Sequence, residues 1–271
     1  MTIKNKQLAY VDEGNGFPIL LGHSYLFDHR MWRPQINELK RHYRVIATDL
    51  WGHGHSDLIP DENSSVYDIA DDMAQLLKNL GLKKYALVGL SIGGMWATKL
   101  TLDHPQEVSA LALFGSHVGC EPKEKKIEYQ ALLKIMQELG AFEESLAQSL
   151  LPFFFAPHTF AHKKELPQAL KAALMATPPK NLPSILRIGA LLFEREDLLS
   201  HIKNINCPTM VVVGKNDVAR PPSESREMAA LLKNCEYHEI ENAGHIVSLE
   251  EPDQVNDLIM NFLASNVPKA Y

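Results

Sequence analysis

The fold is decided by Tyr85-Ala86-Leu87-Val88-Gly89-Leu90-Ser91-Ile92-Gly93-Gly94. Residues 85–88 form a brief apolar run of the kind found in strands buried on both faces. Beyond Ile92 the pattern is helical as far as Asp103, because His104 precedes Pro105 and the residue before a proline leaves helical space. Between strand and helix stands G-x-S-x-G, followed by a further glycine. Small residues on both sides of Ser91 let the chain bend sharply and hold the serine hydroxyl out of the turn. The competing reading is a glycine-rich turn in which Ser91 only caps the helix through its side-chain oxygen.

Outward from this turn, short apolar runs at 9–11, 19–21, 45–47 and 110–114 alternate with amphipathic helices. The clearest helix spans 67–80, with Ile69, Met73, Leu76, Leu77 and Leu80 at helical spacing and Gly81 as its stop. This alternation predicts an α/β fold, a mainly parallel sheet flanked by helices. Strand signals vanish over 117–205, where helical runs at 127–139, 142–151, 166–176 and 182–193 are broken by Pro152, Pro157, Pro178 and Pro179. A strand at 209–213, a helix at 224–232, a strand at 237–240 and a helix at 253–264 then resume the α/β pattern. The resumed strands need the first half for pairing. The expected organisation is therefore a core in two parts, 1–116 and 206–271, interrupted by a helical cap or lid at 117–205.

The 271 residues carry 27 Lys+Arg against 33 Asp+Glu, a formal net charge of −6, and 45% are hydrophobic. These values describe an ordinary globular chain and exclude disorder, collagen and coiled coil. Without a long basic run, no nucleic-acid or anionic membrane partner is expected. The three cysteines, Cys120, Cys207 and Cys235, are odd in number and show no ligand spacing, so neither a disulfide framework nor a metal site is called for. The N-terminus lacks a signal-peptide core, and no apolar run approaches the ~18 residues of a membrane span, so a cytoplasmic location is expected. A monomer or a homodimer is compatible with the chain.

A serine hydroxyl needs a base to take its proton, and that base needs a carboxylate to fix its tautomer. Twelve histidines are available, so position must choose among them. His245, in Asn242-Ala243-Gly244-His245, lies in a loop directly after the 237–240 strand, and Asp217 follows the 209–213 strand in the same way. Glu241, Glu250 and Asp253 are near His245 in sequence, but only Asp217 sits at a strand end that could reach the imidazole. The candidates run Ser91, Asp217, His245.

These features resemble the α/β-hydrolase fold family over nearly the whole chain. In that family the nucleophile, acid and base occur in this order, with acid and base on loops after late strands. Gly22-His23 is similar to the family's oxyanion segment, and Asp49-Leu50-Trp51-Gly52-His53-Gly54-His55-Ser56 to its D-x-x-G-x-G-x-S loop. The resemblance implies an oxyanion hole made by the backbone N–H groups of Ile92 and Tyr25. Ser24 departs from the family's usual glycine, and a positive φ there would strain it. His23 is expected to order the loop by hydrogen bonds. Gly115-Ser116-His117 offers no carboxylate at the family's alternative acid position.

Serine at the nucleophile position argues against dehalogenase and epoxide hydrolase chemistry. The resemblance implies a serine hydrolase of the carboxylesterase kind, taking a small-molecule ester or lactone, without cofactor or metal. Alternatives are an enol-lactone or C–C bond hydrolase of aromatic-compound degradation, or a small-molecule receptor on the same fold. In the inserted segment, Met136, Phe142, Phe153, Phe154, Phe155, Phe160, Met175 and Phe193 are expected mostly in the segment's own core, a minority lining the pocket. No Arg or Lys cluster speaks for a carboxylate or phosphate on the substrate; Arg187, Arg195 and His158 could still supply one charged contact.

Overall fold

The computed structural model describes residues 1–268. A short antiparallel hairpin, β1 (Thr2–Ile3) and β2 (Lys6–Gln7), opens the chain. Seven strands follow in one sheet: β3 (Tyr10–Glu13), β4 (Pro18–Gly22), β5 (Arg44–Thr48), β6 (Tyr85–Leu90), β7 (Val108–Phe114), β8 (Thr209–Gly214) and β9 (Cys235–Ile240). Their order is β3-β5-β4-β6-β7-β8-β9, with β3 antiparallel to β5 and every other neighbouring pair parallel. Central β6 is buried at every position, which is why it reads as a continuous apolar run. Edge strand β9 carries Glu236, His238 and Glu239 and is only half-buried along most of its length.

The helices of the core are α1 (Arg33–Leu39), α2 (Asp68–Asn79) and α3 (Ile92–Asp103), with α9 (Pro222–Leu231), α10 (Val247–Glu250) and α11 (Pro252–Asn266) near the C-terminus. α3 lies against β4, β6 and β7 with α2 beside it, which leaves it nearly all buried and without a polar face. α2 instead turns a single apolar stripe inward, as its periodicity predicts. α9 covers β8 and β9, while α11 packs on α1 and β7.

Between β7 and β8 the chain makes α4 (Lys123–Leu139), α5 (Glu144–Phe154), α6 (Pro157–His162), α7 (Glu165–Met175) and α8 (Leu182–Phe193). α4 packs on α8, and α5 on α7. Pro152, read from sequence as a helix breaker, lies inside α5, which continues to Phe154. So close to the helix end, the ring removes one backbone donor without costing a further turn. Residues 269–271 of the expected last core segment lie outside the described residues. Among the described residues, no helix is long and apolar enough to cross a membrane.

The junction of β4, β6 and α3 depends on glycine. A Cβ on Gly93 would stand 2.2 Å from the Gly22 carbonyl oxygen and 2.5 Å from its carbon, both rigid backbone. Gly93→Ala is expected to cost about 3 kcal/mol or more through overpacking and to lower Tm by roughly 6–10 °C. A thermal melt within about 2 °C of wild type contradicts this close approach.

Candidate active site

Ser91 sits between β6 and α3 at φ 57°, ψ −120°, a conformation that non-glycine residues seldom adopt. Tertiary bonds hold it there: its N–H donates to Phe114 O at 2.9 Å, and Ser116 Oγ donates to its carbonyl at 2.8 Å. Its side chain makes no capping bond to α3, which removes the helix-cap reading. Strain of this kind persists only where the surroundings over-determine it, and it concentrates at functional sites.

Asp217 follows β8 and His245 follows β9, on loops at the same sheet end as Ser91, since all three strands are parallel and linked through β7. His245 Nδ1 is 2.8 Å from Asp217 Oδ2, and both residues are buried. A carboxylate can only accept, so Nδ1 carries the proton and Nε2 is left as the basic nitrogen. Asp217 Oδ1 is held separately by the Arg220 N–H at 2.8 Å. Gly115, at φ +47°, leaves the pair room: a Cβ there would lie 3.0 Å from Asp217 Oδ2 and 3.2 Å from His245 Nδ1. No carboxylate at 115–117 competes for the ring.

The 22–27 loop supplies the other wall. Ser24 escapes the strain a positive φ would bring, because it does not adopt one; the positive φ in this loop falls on Leu26, at 68°. The Ser24 N–H points to Met31 Sδ at 3.4 Å and the Leu26 N–H to His53 Nε2 at 3.2 Å. The Tyr25 N–H between them has no acceptor among the described residues. The Ile92 N–H is a first-turn amide of α3 and lacks an intrahelical partner by geometry. Tyr25 is anchored by its own hydroxyl, which donates to Ile185 O of α8 at 2.9 Å.

His23 orders this loop as expected. Its Nε2 accepts from the Leu50 N–H at 2.8 Å, and Nδ1 donates to Ser24 O at 2.7 Å. His53 repeats the pattern, with Nδ1 on Trp51 O at 2.9 Å. Burial pushes the pKa of His53 down to about 4, and neighbouring His23 adds to the shift. Burial lowers His23 as well. Asp49 braces the adjoining turn: burial alone would raise it, but the His29 ring and the His29 and His55 amides hold it down at about 2. Asp28, His29 and Asp49 form the one cluster of potential metal ligands among the described residues, and Arg30 already grips Asp28.

The two histidines carry a pH prediction. Unfolded, His53 binds a proton near its ordinary pKa of 6.5; folded, it does so only near 4. Stability is therefore fully present above pH 6.5 and falls as pH drops toward 4, by roughly 3 kcal/mol for His53 alone. His23 adds a loss of the same sign. Urea unfolding at pH 7 and pH 4.5 measures the difference, which His53→Gln should reduce; equal stability at the two pH values contradicts it.

Ser91 and His245 line one cavity of about 80 Å³. Met95 and Tyr25 contribute from the core side, and Tyr129, Leu132, Leu150, Phe154 and Phe193 from the inserted helices. Of the eight segment residues named from sequence, Phe153, Phe154 and Phe193 reach the cavity, Met136, Phe142 and Phe155 are buried away from it, Phe160 is half-buried away from it, and Met175 is exposed. Of the three residues that could have supplied a charged contact, none lines it. Arg187 binds Asp61 and Asn63 carbonyls, Arg195 is buried against Glu121, and His158 lies against His162 with the rings tilted.

Arg220 lines the cavity instead, a residue that sequence reasoning missed. Its Nη2 and Arg195 Nη1 share Glu121 Oε1, the latter at 2.6 Å. Burial alone would raise the Glu121 carboxyl, but Arg220 and Arg195 together hold it below the usual range. Glu121 precedes α4 and Arg195 follows α8, so this buried trio ties both ends of the inserted helices to the loop carrying Asp217.

Known proteins share this fold over nearly the whole chain. A solved thermophilic esterase from Thermogutta terrifontis superposes with a TM-score of 0.88 and 30% identity, covering 96% of this chain and 94% of its own. The enol-lactonase from Burkholderia xenovorans LB400 superposes with a TM-score of 0.85 over 97% and 99% of the two chains; at 24% identity that likeness concerns the fold. RutD of Serratia proteamaculans, provisionally named a carbamate hydrolase, is 30% identical over 239 residues, 86% of this chain and 85% of its own. The family description "alpha/beta hydrolase fold" matches residues 18–252, the span from β4 to the start of α11, and this chain belongs to that family.

Proposed function

We propose that this protein is a serine hydrolase that cleaves small, mainly apolar carboxylic esters through a covalent acyl-enzyme on Ser91. The observation that carries this reading is the 2.8 Å bond between His245 Nδ1 and Asp217 Oδ2, made at the wall of the apolar cavity that also holds Ser91. His245 Nε2 takes the hydroxyl proton as Ser91 Oγ bonds to the acyl carbon, and the N–H groups of Ile92 and Tyr25 meet the developing oxyanion. Collapse breaks the ester C–O bond, and the imidazolium hands its proton to the departing alcohol. Water attacks the acyl-enzyme with the same base, releasing the acid and restoring Ser91. The helices of 117–205 serve as the lid, roofing the reacting atoms and excluding water.

Esters, lactones and carbamates all present an acyl carbon to this machinery, and the apolar lining supports an ester with an apolar acyl group. Steady-state hydrolysis of p-nitrophenyl esters from acetate to octanoate, beside a carbamate and a γ-lactone, tests the reading. Multiple turnover with kcat/KM highest on a short or medium chain ester is expected. Turnover of the carbamate or the lactone alone contradicts the ester assignment, and single-turnover binding contradicts an enzyme.

A further inference from the structure

Glu250 lies five residues beyond His245, at the end of α10, and is fully buried. Among the described residues, no positive side chain neutralises its carboxylate. Three donors do the work: Gly244 N–H on Oε1 at 2.8 Å, and Ala156 N–H and Thr159 Oγ1 on Oε2 at 2.8 and 2.6 Å. The first belongs to the loop carrying His245; the other two belong to the α5–α6 junction of the inserted helices. The same two segments are joined again by the N–H groups of His245 and Ile246, which both donate to Phe154 O, at 3.0 and 3.1 Å. Contact between them is close enough that a Cβ on Gly244 would stand 2.7 Å from Ala156 N. Lys163 closes the outer side, donating to the Glu250 carbonyl and pairing with Glu251 at 2.7 Å.

A buried carboxylate is costly unless its surroundings use it. Here it bridges the two segments through both of its oxygens, and an amide in its place would turn an N–H toward one of the existing donors. We propose that Glu250 is a positioning residue that sets the place of the His245 imidazole by clamping its loop to the α5–α6 junction. The inserted helices thereby help to build the acid–base pair as well as roof the cavity. The inference rests on the reading of His245 as the base for Ser91.

The test uses the full chain and two reactions: p-nitrophenyl butyrate turnover, and inactivation by a fluorophosphonate that phosphonylates the activated serine. Displacing a catalytic group by about 1 Å costs about 10²-fold. Glu250→Gln should therefore lower kcat and the limiting inactivation rate about 10²-fold, with KM and the inhibitor's half-saturation within about threefold. Thr159→Val removes one lid-side donor and leaves the His245 loop untouched; it should lower both rates about tenfold, with Thr159→Ser recovering most of the loss. If Glu250→Gln does not fold, the threonine pair decides. Wild-type rates in Thr159→Val, or a loss confined to KM, overturn the positioning role. A wild-type protein that takes no label on Ser91 overturns the base reading itself, and the positioning role with it.

Discussion

Ser91→Ala is expected to lower kcat on the preferred ester about 10⁶-fold, with little change in KM. The whole covalent route passes through one oxygen, so no neighbouring group can share the loss. The residual rate should come from the oxyanion donors and from binding alone. Folding should be spared, because Ser91 Oγ makes no capping bond and the turn is held by bonds to the backbone of residue 91. A melt within about 2 °C of wild type is expected beside the lost activity. A variant that keeps even a tenth of wild-type turnover contradicts a nucleophilic role for this residue.

Asp217→Asn is expected to lower kcat about 10⁴-fold. Asparagine keeps the shape and still offers an oxygen to the Arg220 N–H, so the acid loop should hold its place. Its amide nitrogen, however, would donate where Oδ2 now accepts, and His245 would have to move its proton to Nε2 to receive it. The nitrogen that faces the cavity would then carry a proton and could not act as a base. The loss should appear in kcat, since the cavity's apolar lining is unchanged. Turnover within about tenfold of wild type would move the acid's role to another carboxylate.

The fold was legible in the sequence wherever a local pattern decided the structure. Residues 85–94 mark the turn because strand, glycines and helix are consecutive, and α3 and α8 fall on their expected bounds. α2 was visible from one-sided burial, and the insertion from the loss of strand pattern. The β1–β2 hairpin, at two residues per strand, is too short for any periodicity to register, and α6 is too short to show a helical face. Pro152 misled because a proline's cost depends on its distance from the helix end, which composition does not reveal.

The candidate site divides in the same way. Ser91, Asp217 and His245 were readable because each directly follows a strand, and strand ends are visible locally. Arg220 and Glu121 were not, and Arg195 was noticed only as a possible charged contact, because Glu121 meets partners 74 and 99 residues away. Glu250 was noticed only as a carboxylate near His245; its role as a clamp depends on Ala156 and Thr159, more than 90 residues earlier. The positive φ of the 22–27 loop falls on Leu26 and not on Ser24, because Met31 and His53 fix the amides of this loop in a way local sequence does not encode.

The central claim, a covalent ester on Ser91, is tested most directly by rapid acid quench during turnover of a p-nitrophenyl ester, followed by intact and peptide mass spectrometry. The account predicts a transient mass increment equal to the acyl group, located on the peptide containing Ser91, absent from Ser91→Ala, and longer-lived when deacylation is slowed in Asp217→Asn. Multiple turnover with no increment at any time, or an acyl group on a different residue, would contradict it.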